Sequence, residues 1–286
     1  MTELGAVERT AFLTAALRAA ETRRPDHLYQ DPFAADLAGD IGPGLLAEIR
    51  EVTFPKDADR TLPSTPDYNA IRTRFFDEWL RASAARPEMT QVVIAPAGLD
   101  SRAFRLEWPD GVTVFEVDRP VVLDAKRQLL GDAEPRVQRR TVGVDMVADG
   151  WEKDLVAAGY DPERPSVWLL EGLLYYIPEP DVHRILDIVA ANTAPGSLIA
   201  ADVVNAAALT LPHMRGLLDV FAGWGCPWLF GTDEPEALFA KYTIDAVAVQ
   251  PGEPAADYGR WPDPVPPREE TNVRRVFFVH GRRGAA

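Results

Sequence analysis

The chain has 286 residues, 47% of them hydrophobic, and carries a formal net charge of −14. This length can bury one large core, and the acidic balance argues against nucleic acid or an anionic membrane surface as a partner, because such binding depends on lysine and arginine. The single cysteine, Cys226, excludes an intramolecular disulfide and a zinc site built on several thiolates. With no secretory signal and no long apolar run, we expect a cytoplasmic protein whose partner is a small molecule, without nucleic acid or a membrane.

The first third of the chain predicts helices. Apolar residues at helical spacing favour a helix from Glu8 to Arg24, and Asp31 followed by Pro32 is typical of the start of a short second helix. A third predicted helix runs from Asp67 to Arg86. The polar stretch from Arg50 to Pro66 holds three prolines and predicts either a mobile flap or a long surface loop.

From Gln91 onward, short β-branched segments alternate with helical segments, as in β-α-β units around a parallel sheet. The predicted strands are Gln91–Ala95, Val112–Val117, Val137–Val142, Ser166–Leu170, Ser197–Val203, Ile244–Val249 and Arg274–Val279. The predicted helices are Ser101–Glu107, Pro120–Leu130, Val147–Ala158, Pro180–Ala194, Ala206–Ala222 and Glu236–Lys241. The last two strands enclose a proline-rich segment and predict an antiparallel hairpin. The expected fold class is therefore α/β, with a mostly parallel, seven-stranded Rossmann-like sheet.

The loop after the first predicted strand is a candidate ligand site. Gly98 allows a ligand to approach the backbone closely at the carboxyl edge of the sheet. Asp118 follows that loop by about 20 residues, at the end of the second strand, where a carboxylate can accept hydrogen bonds from ribose hydroxyls. Glu116 is the second candidate for that role. A dinucleotide fingerprint needs three glycines, whereas Pro96 and Ser101 stand at the other two positions here. A pyrophosphate ligand is therefore not expected.

Four segments of the chain resemble the leucine carboxyl methyltransferase family, in particular its bacterial branch with polyketide O-methyltransferases of the tetracenomycin type. They are AIRTRFFD at 70–77, AGLDSRAFRL at 97–106, FEVD at 115–118 with Pro120, and LEGLLYYIP at 170–178. The resemblance implies a class I methyltransferase fold with S-adenosyl-L-methionine as cofactor. It also implies an O-methyltransferase of secondary metabolite biosynthesis, acting on a carboxylate or hydroxyl of a small natural product such as a polyketide.

The resemblance further implies which residues contact the cofactor. Arg72 matches the arginine that pairs with the methionine carboxylate, a role that suits the two-pronged guanidinium group. Its alternative is a surface arginine on an amphipathic helix. Gly98, with Ala97 beside it, matches the glycine at which the backbone approaches the cofactor, and Asp118 matches the ribose acid.

Three later residues complete the implied cofactor site. Asp145 matches the acid near the adenine amino group, and Met146 follows it as a contact to the ring. Core filling is the alternative for Met146. Glu171 matches a carboxylate that faces the cofactor, and a capping or salt-bridged glutamate is its alternative.

The catalytic residue stays unknown, with Tyr176 and His213 as candidates. A carboxylate acceptor needs positioning rather than a general base, whereas a phenol needs a base. His213 is the histidine placed for that task, although a surface helix residue is its alternative reading. The spacing of the histidines predicts no metal site. Aromatic residues concentrated in two segments favour an aromatic or hydrophobic acceptor, and they are Tyr175, Tyr176, Phe221, Trp224, Trp228 and Phe230.

We expect a helical cap over residues 1–88 and a Rossmann-like core over residues 89–286, with an insert near 205–232 that forms the acceptor pocket. The alternative function is a methyltransferase fold in which methyl transfer is lost or altered, giving a cyclase or a binding module, because Pro96 replaces a glycine of the cofactor loop. A protein methyltransferase acting on an acidic chain terminus is disfavoured by the acidic surface. No oligomeric state follows from the sequence.

Overall fold

The computed structural model describes residues 6–53, 65–261 and 264–285. The strands are β1 (Gln91–Ile94), β2 (Thr113–Asp118), β3 (Gln138–Gly143), β4 (Val167–Leu170), β5 (Leu198–Val204), β6 (Ile244–Val249) and β7 (Val276–Arg283). Within these described ranges they form one seven-stranded sheet in the order β3-β2-β1-β4-β5-β7-β6. Strands β1 to β5 are parallel, and β7 is antiparallel to both β5 and β6. The predicted α/β fold with its antiparallel terminal hairpin is confirmed.

Helices precede the sheet and cover both of its faces. They are α1 (Ala6–Thr22), α2 (Ala34–Ala38), α3 (Gly42–Thr53), α4 (Thr65–Ala84), α5 (Arg102–Arg105), α6 (Pro120–Leu130), α7 (Trp151–Ala157), α8 (Glu179–Ala191), α9 (Arg215–Gly223) and α10 (Pro235–Ala240). Helix α1 contacts α2, α3 and α4, so the helices that precede the sheet pack against one another. Among the residues described, no helix has both the length and the apolar character needed to cross a membrane.

Alternate residues of β1 pack into different apolar cores. Val93 belongs to a core with Trp168, whereas Val92 and Ile94 belong to a core that includes Phe76 of α4. Because successive side chains of a strand point to opposite faces, both faces of the sheet are buried here. Helix α4 thereby packs against the face of the sheet to which Val92 and Ile94 of β1 point.

The helix predicted near residues 206–222 is confirmed over residues 215–222 and wrong over residues 206–214. The chain instead forms two 3₁₀ turns, Ala206–Leu209 and Pro212–Met214, before α9 begins at Arg215. Pro212 has no backbone N–H to donate into a preceding turn, so a single continuous helix cannot pass through it. The Asn205 side chain caps the first turn by accepting a hydrogen bond from the Ala208 backbone N–H.

Other boundaries also differ from the sequence predictions. Helix α3 was not predicted, and residues 50–53, expected as part of a flap or loop, belong to it. Residues 54–64 lie outside the described residues, so the choice between flap and loop stays open. The regular part of α2 begins at Ala34, and Asp31 caps the turn that leads into it, as predicted, by accepting the Phe33 N–H on Oδ1. Helix α7 begins at Trp151, after Gly150 with its φ of 80°, and not at residue 147.

Candidate active site

A cavity opens at the carboxyl ends of β1, β2 and β4, beneath helices α1, α4 and α9. Its volume is about 1180 Å³, including the mouth that opens to solvent. Polar groups form one part of the lining, here called the polar wall, and they include Arg72, Gly98, Asp118 and Glu171. Apolar and aromatic groups form another part, here called the aromatic wall, and they include Leu13, Leu17, Tyr175, Tyr176, Leu217, Phe221 and Trp228. Residues that are far apart in the sequence thus share one cavity.

The loop after β1 begins with a cis peptide bond between Ala95 and Pro96. The Ala97 N–H donates to the Val117 carbonyl of β2 at 2.8 Å, which ties the loop to the neighbouring strand. Gly98 has a φ of 47°, in the left-handed region that glycine adopts without strain. A Cβ atom there would meet only Ala11 of α1, at 3.7 Å, so the backbone angle and not crowding requires glycine.

Asp118 is held in place by backbone N–H groups at the cavity wall. Its Oδ2 accepts the Gly98 N–H at 2.6 Å and its Oδ1 accepts the Arg119 N–H at 2.7 Å. Burial raises the pKa of this carboxyl above its ordinary value, and the two N–H donors oppose that rise. Each oxygen has a second lone pair, so the carboxylate can accept further hydrogen bonds from a hydroxylated ligand.

Arg72 is buried at the centre of the polar wall and is not a surface arginine. Its Nε lies 2.9 Å from Glu171 Oε1, and its Nη1 lies 2.9 Å from Asp202 Oδ2. The Nε–Glu171 contact is an ion pair without hydrogen-bond alignment, since Nε is buried and has no hydrogen-bond partner in the described chain. Burial alone would lower the pKa of Arg72, but Tyr68, Asp202 and Glu171 outweigh it and raise that pKa well above its usual range. Arg72 is therefore a fixed positive charge.

Glu171 is salt-bridged as well as exposed to the cavity. Its Oε2 lies 2.7 Å from Arg102 Nη1, while its other oxygen faces Arg72. Arg102 also pairs with Asp77 of α4 at 2.7 Å and with Asp100 at 2.5 Å. This buried network connects the loop after β1, helix α4 and the turn after β4, so the polar wall is assembled before any ligand binds.

Sequence reasoning missed two residues that hold the polar wall in place. Asp202 is fully buried in β5 and accepts hydrogen bonds from the Tyr68 hydroxyl at 3.0 Å and the Gly172 N–H at 2.6 Å. Its signal was an acid within the otherwise apolar strand Leu198–Val204. Arg102 lies in the motif at 97–106 together with its partner Asp100, but its other two partners, Asp77 and Glu171, are far from it in the sequence, so no local pattern could reveal them.

Asp145 and Met146 are not among the residues that line the cavity. Asp145 is exposed and its Oδ1 accepts the Val147 N–H at 3.0 Å, whereas Met146 is packed in the core that contains Trp151. Glu116 is also absent from the lining, because it is fully buried in an ion pair with Lys126, 2.6 Å away.

The candidate catalytic groups are placed differently. Tyr176 lines the cavity, and burial raises the pKa of its hydroxyl, so it is protonated at neutral pH. His213 is exposed in the turn Pro212–Met214 and does not line the cavity. Burial and then the charge of Arg274 lower the pKa of His213. Over the described ranges, no group of three or more histidine, cysteine or acidic side chains could hold a metal ion.

The chain is similar to proteins of known family. The sequence profile of leucine carboxyl methyltransferase matches residues 11–190. A Mycobacteroides abscessus protein named as an S-adenosyl-L-methionine-dependent methyltransferase is 43% identical over 208 residues, which are 70% of this chain and 65% of that protein. A Mycolicibacterium gilvum protein named in the same way is 42% identical over 209 residues, covering 71% of this chain and 69% of the relative. The chain thus spans about two thirds of the length of these relatives.

Solved structures show the same fold. A Thermobifida fusca protein described as a methyltransferase superposes with a TM-score of 0.61 at 20% identity, over 88% of this chain and 93% of that one. A DUF574-family protein from Streptomyces avermitilis gives a TM-score of 0.56 at 15% identity, over 94% and 96% of the two chains. The profile match covers more than half of the sequence, and on that ground the chain belongs to the leucine carboxyl methyltransferase family.

Proposed function

We propose that this protein is an O-methyltransferase that uses S-adenosylmethionine to methylate a carboxylate or hydroxyl oxygen of a small aromatic or hydrophobic acceptor. Its setting would be secondary metabolism in the cytoplasm, with polyketides as one acceptor class. The observation that carries this proposal is the shared cavity, whose lining includes Arg72, Gly98, Asp118 and Glu171 together with apolar and aromatic side chains.

The polar wall fits the cofactor by its chemistry. Arg72 offers a fixed cation for the methionine carboxylate, Asp118 offers acceptors for ribose hydroxyls, and Glu171 offers a negative charge near the sulfonium. Gly98 allows close approach of the backbone, with Ala97 beside it. On the adenine side we assign Asp145 and Met146, which follow β3 in the chain.

The absence of histidine from the cavity lining of the described residues favours a carboxylate over a phenol as the acceptor. When bound, S-adenosylmethionine supplies an electrophilic methyl group, and a carboxylate attacks it without giving up a proton. No histidine is among the cavity-lining residues of the described chain, and the phenols of Tyr175 and Tyr176 have pKa values raised by burial. Their task is then to exclude water and orient the acceptor, which is the larger part of catalysis when no base is needed.

The division of the chain follows from this proposal. Residues 1–88 form a helical cap, whose described parts include α1 and α4 over the cavity. Residues 89–286 form the methyltransferase core, and the insert near 205–232 closes the acceptor side through Leu217, Phe221 and Trp228.

Calorimetry with S-adenosylhomocysteine tests the cofactor site. We expect the wild type to bind, and Asp118→Ala to bind at least about tenfold more weakly, because a charged hydrogen-bond acceptor is lost. Asp124→Ala, at an exposed aspartate of α6, is the matched control and should bind as the wild type does. Absence of binding by the wild type, or equal binding by Asp118→Ala, would contradict the proposal.

Mass spectrometry then separates methyl transfer from the alternative function. Incubation with S-adenosylmethionine and a panel of aromatic acids and phenols should add the mass of one methyl group to an acceptor. If the wild type binds S-adenosylhomocysteine but yields only rearranged products of unchanged mass, the protein is a cyclase and the O-methyltransferase proposal fails.

A further inference from the structure

Arg274 lies just before β7 and lines the cavity, and its side chain makes no ion pair or hydrogen bond with another residue that the structure describes. Its Nε is shielded from solvent and has no hydrogen-bond partner within the part of the chain that the structure describes. The other arginines that line the cavity each pair with an acid, and they are Arg18, Arg72, Arg102 and Arg105. Arg274 therefore differs from every other cavity arginine of the described residues.

The neighbouring residue shows how an arginine of this segment is normally satisfied. Arg275 donates from Nη1 to Gln250 Oε1 at 2.9 Å and to the Pro266 carbonyl at 2.7 Å, and from Nη2 to the Glu270 carbonyl at 2.8 Å. Its guanidinium donors are thus occupied by hydrogen bonds within the protein. Arg274 makes none of them, although it is adjacent in the chain.

The backbone on both sides of Arg274 is fixed. Asn205, at the end of β5, donates from Nδ2 to the Val273 carbonyl at 3.0 Å and accepts the Arg275 N–H on Oδ1 at 2.8 Å. The Asn205 N–H also donates to the Arg275 carbonyl at 3.1 Å. The base of the Arg274 side chain is thereby held at the cavity wall, so its placement there does not depend on a ligand.

Among the described residues, no carboxylate forms an ion pair with the positive charge of Arg274. Burial lowers the pKa of its guanidinium, and only the Tyr68 phenol opposes that fall. Burial, and after it the positive charge of Arg274, lower the pKa of His213, so the two side chains interact electrostatically. The chain has 44 acidic residues, yet none of those described pairs with this arginine. A partly desolvated cation without a counterion is stabilised by an anionic ligand.

We propose that Arg274 binds a carboxylate of the methyl acceptor and so makes the enzyme select acidic acceptors over neutral ones. This inference rests on the proposed function, because it uses the apolar part of the same cavity for the body of the acceptor. Tyr68 connects Arg274 with the proposed cofactor side of the site. It interacts electrostatically with Arg274, and its hydroxyl donates to Asp202, which pairs with Arg72. If the bound carboxylate is also the methylated group, the ester product loses the charge that Arg274 recognises and dissociates more readily.

Ligand titration measures this selectivity directly. The probes are 2-naphthoate, benzoate and decanoate, each compared with its neutral amide, and binding is followed by calorimetry with and without saturating S-adenosylhomocysteine. We expect at least one acid to bind the wild type about tenfold or more tightly than its amide, as a charge-assisted pair requires. In Arg274→Gln that preference should disappear while amide binding stays within about twofold.

Three variants make the result interpretable. Arg81→Gln removes an exposed arginine of α4 and should keep the preference for acids. Arg274→Lys keeps the charge and should retain part of the preference, which also covers the case in which the glutamine variant does not fold. Unchanged binding of S-adenosylhomocysteine by Arg274→Gln would show that the cofactor site is intact.

Each remaining outcome decides the matter. An equal preference for acids in the wild type and Arg274→Gln overturns the inference, and so does failure of all three acids to bind the wild type better than their amides. If the acids bind through Arg274 but S-adenosylhomocysteine does not bind at all, the proposed function fails while the carboxylate site stands. The two failures are therefore distinguishable.

Discussion

Arg72 of α4 and Asp202 of β5 form an ion pair, with 2.9 Å between Nη1 and Oδ2, in which the aspartate side chain has no contact with solvent. The same carboxylate accepts hydrogen bonds from the Tyr68 hydroxyl and from the Gly172 N–H. One buried acid thus fixes the arginine proposed to hold the cofactor and the turn that carries Glu171.

Asp202→Asn should lower the free energy of unfolding by about 3 kcal/mol, because removing one partner leaves a buried arginine with less charge compensation. Glu171 remains as a partner of Arg72, which keeps the loss at the low end of the range for broken buried pairs. Urea denaturation at neutral pH measures the change. Asp187→Asn, at an exposed residue of α8, is the control and should differ from the wild type by no more than about 0.5 kcal/mol.

Arg102→Met should be more destabilising than Asp202→Asn, with a loss of about 4 kcal/mol, because three acids lose their shared cation. Arg102→Lys keeps the charge but cannot reach all three acids, so its loss should be smaller. Arg127→Ala, at a 74% exposed arginine of α6, should change stability little. Equal melting temperatures for Arg102→Met and Arg127→Ala would show that the buried network contributes no net stability.

Local patterns in the sequence were sufficient where a single element carried its own signals. Helix α6 begins and ends as predicted, because Pro120 suits the first helical position and Gly131 follows the last one. Strand β6 was predicted with its observed bounds, since half of its six residues are β-branched. Helix α3 was missed because Gly42, Pro43 and Gly44 at its start are typical of a turn.

In the site, too, local sequence patterns predicted only contacts between residues of neighbouring elements. Gly98 and Asp118 were paired by their spacing along the β1–β2 unit, and the structure joins them directly through one hydrogen bond of 2.6 Å. The Arg72–Asp202 pair spans 130 residues, and nothing local in the sequence connects its two members. The lack of a partner at Arg274 is a property of its surroundings in space, so only the folded chain could reveal it.

The stability that Asp100 contributes should depend on pH. Burial would raise the pKa of this carboxyl, but the charge of Arg102 leads the effects that outweigh burial and lower the pKa from 3.8 to about 2. A lowered folded-state pKa adds stability above the unfolded value and loses it as pH falls towards the folded value. Asp100→Asn should therefore cost about 2 kcal/mol at pH 7 and about half of that at pH 3.

Urea denaturation of the wild type and Asp100→Asn at pH 7, 5 and 3 measures this difference. The two higher values should agree, because both lie above the ordinary pKa of an aspartate. A difference that stays constant down to pH 3 would mean that Asp100 contributes through packing and not through its charge.

Cys226 should resist thiol reagents in the folded protein. Its side chain is buried, its Sγ donates to the Phe221 carbonyl at 3.4 Å, and burial raises the pKa of the thiol to about 11. Since the thiolate is the reactive form, both its small population at pH 8 and its lack of access oppose the reaction. Titration with 5,5′-dithiobis(2-nitrobenzoate) should consume almost no reagent in buffer and one equivalent per chain in denaturing urea, because the chain has a single cysteine. Rapid labelling of the folded protein would instead show that the segment around Trp224 and Trp228 opens readily, and the acceptor wall would then be a moving one.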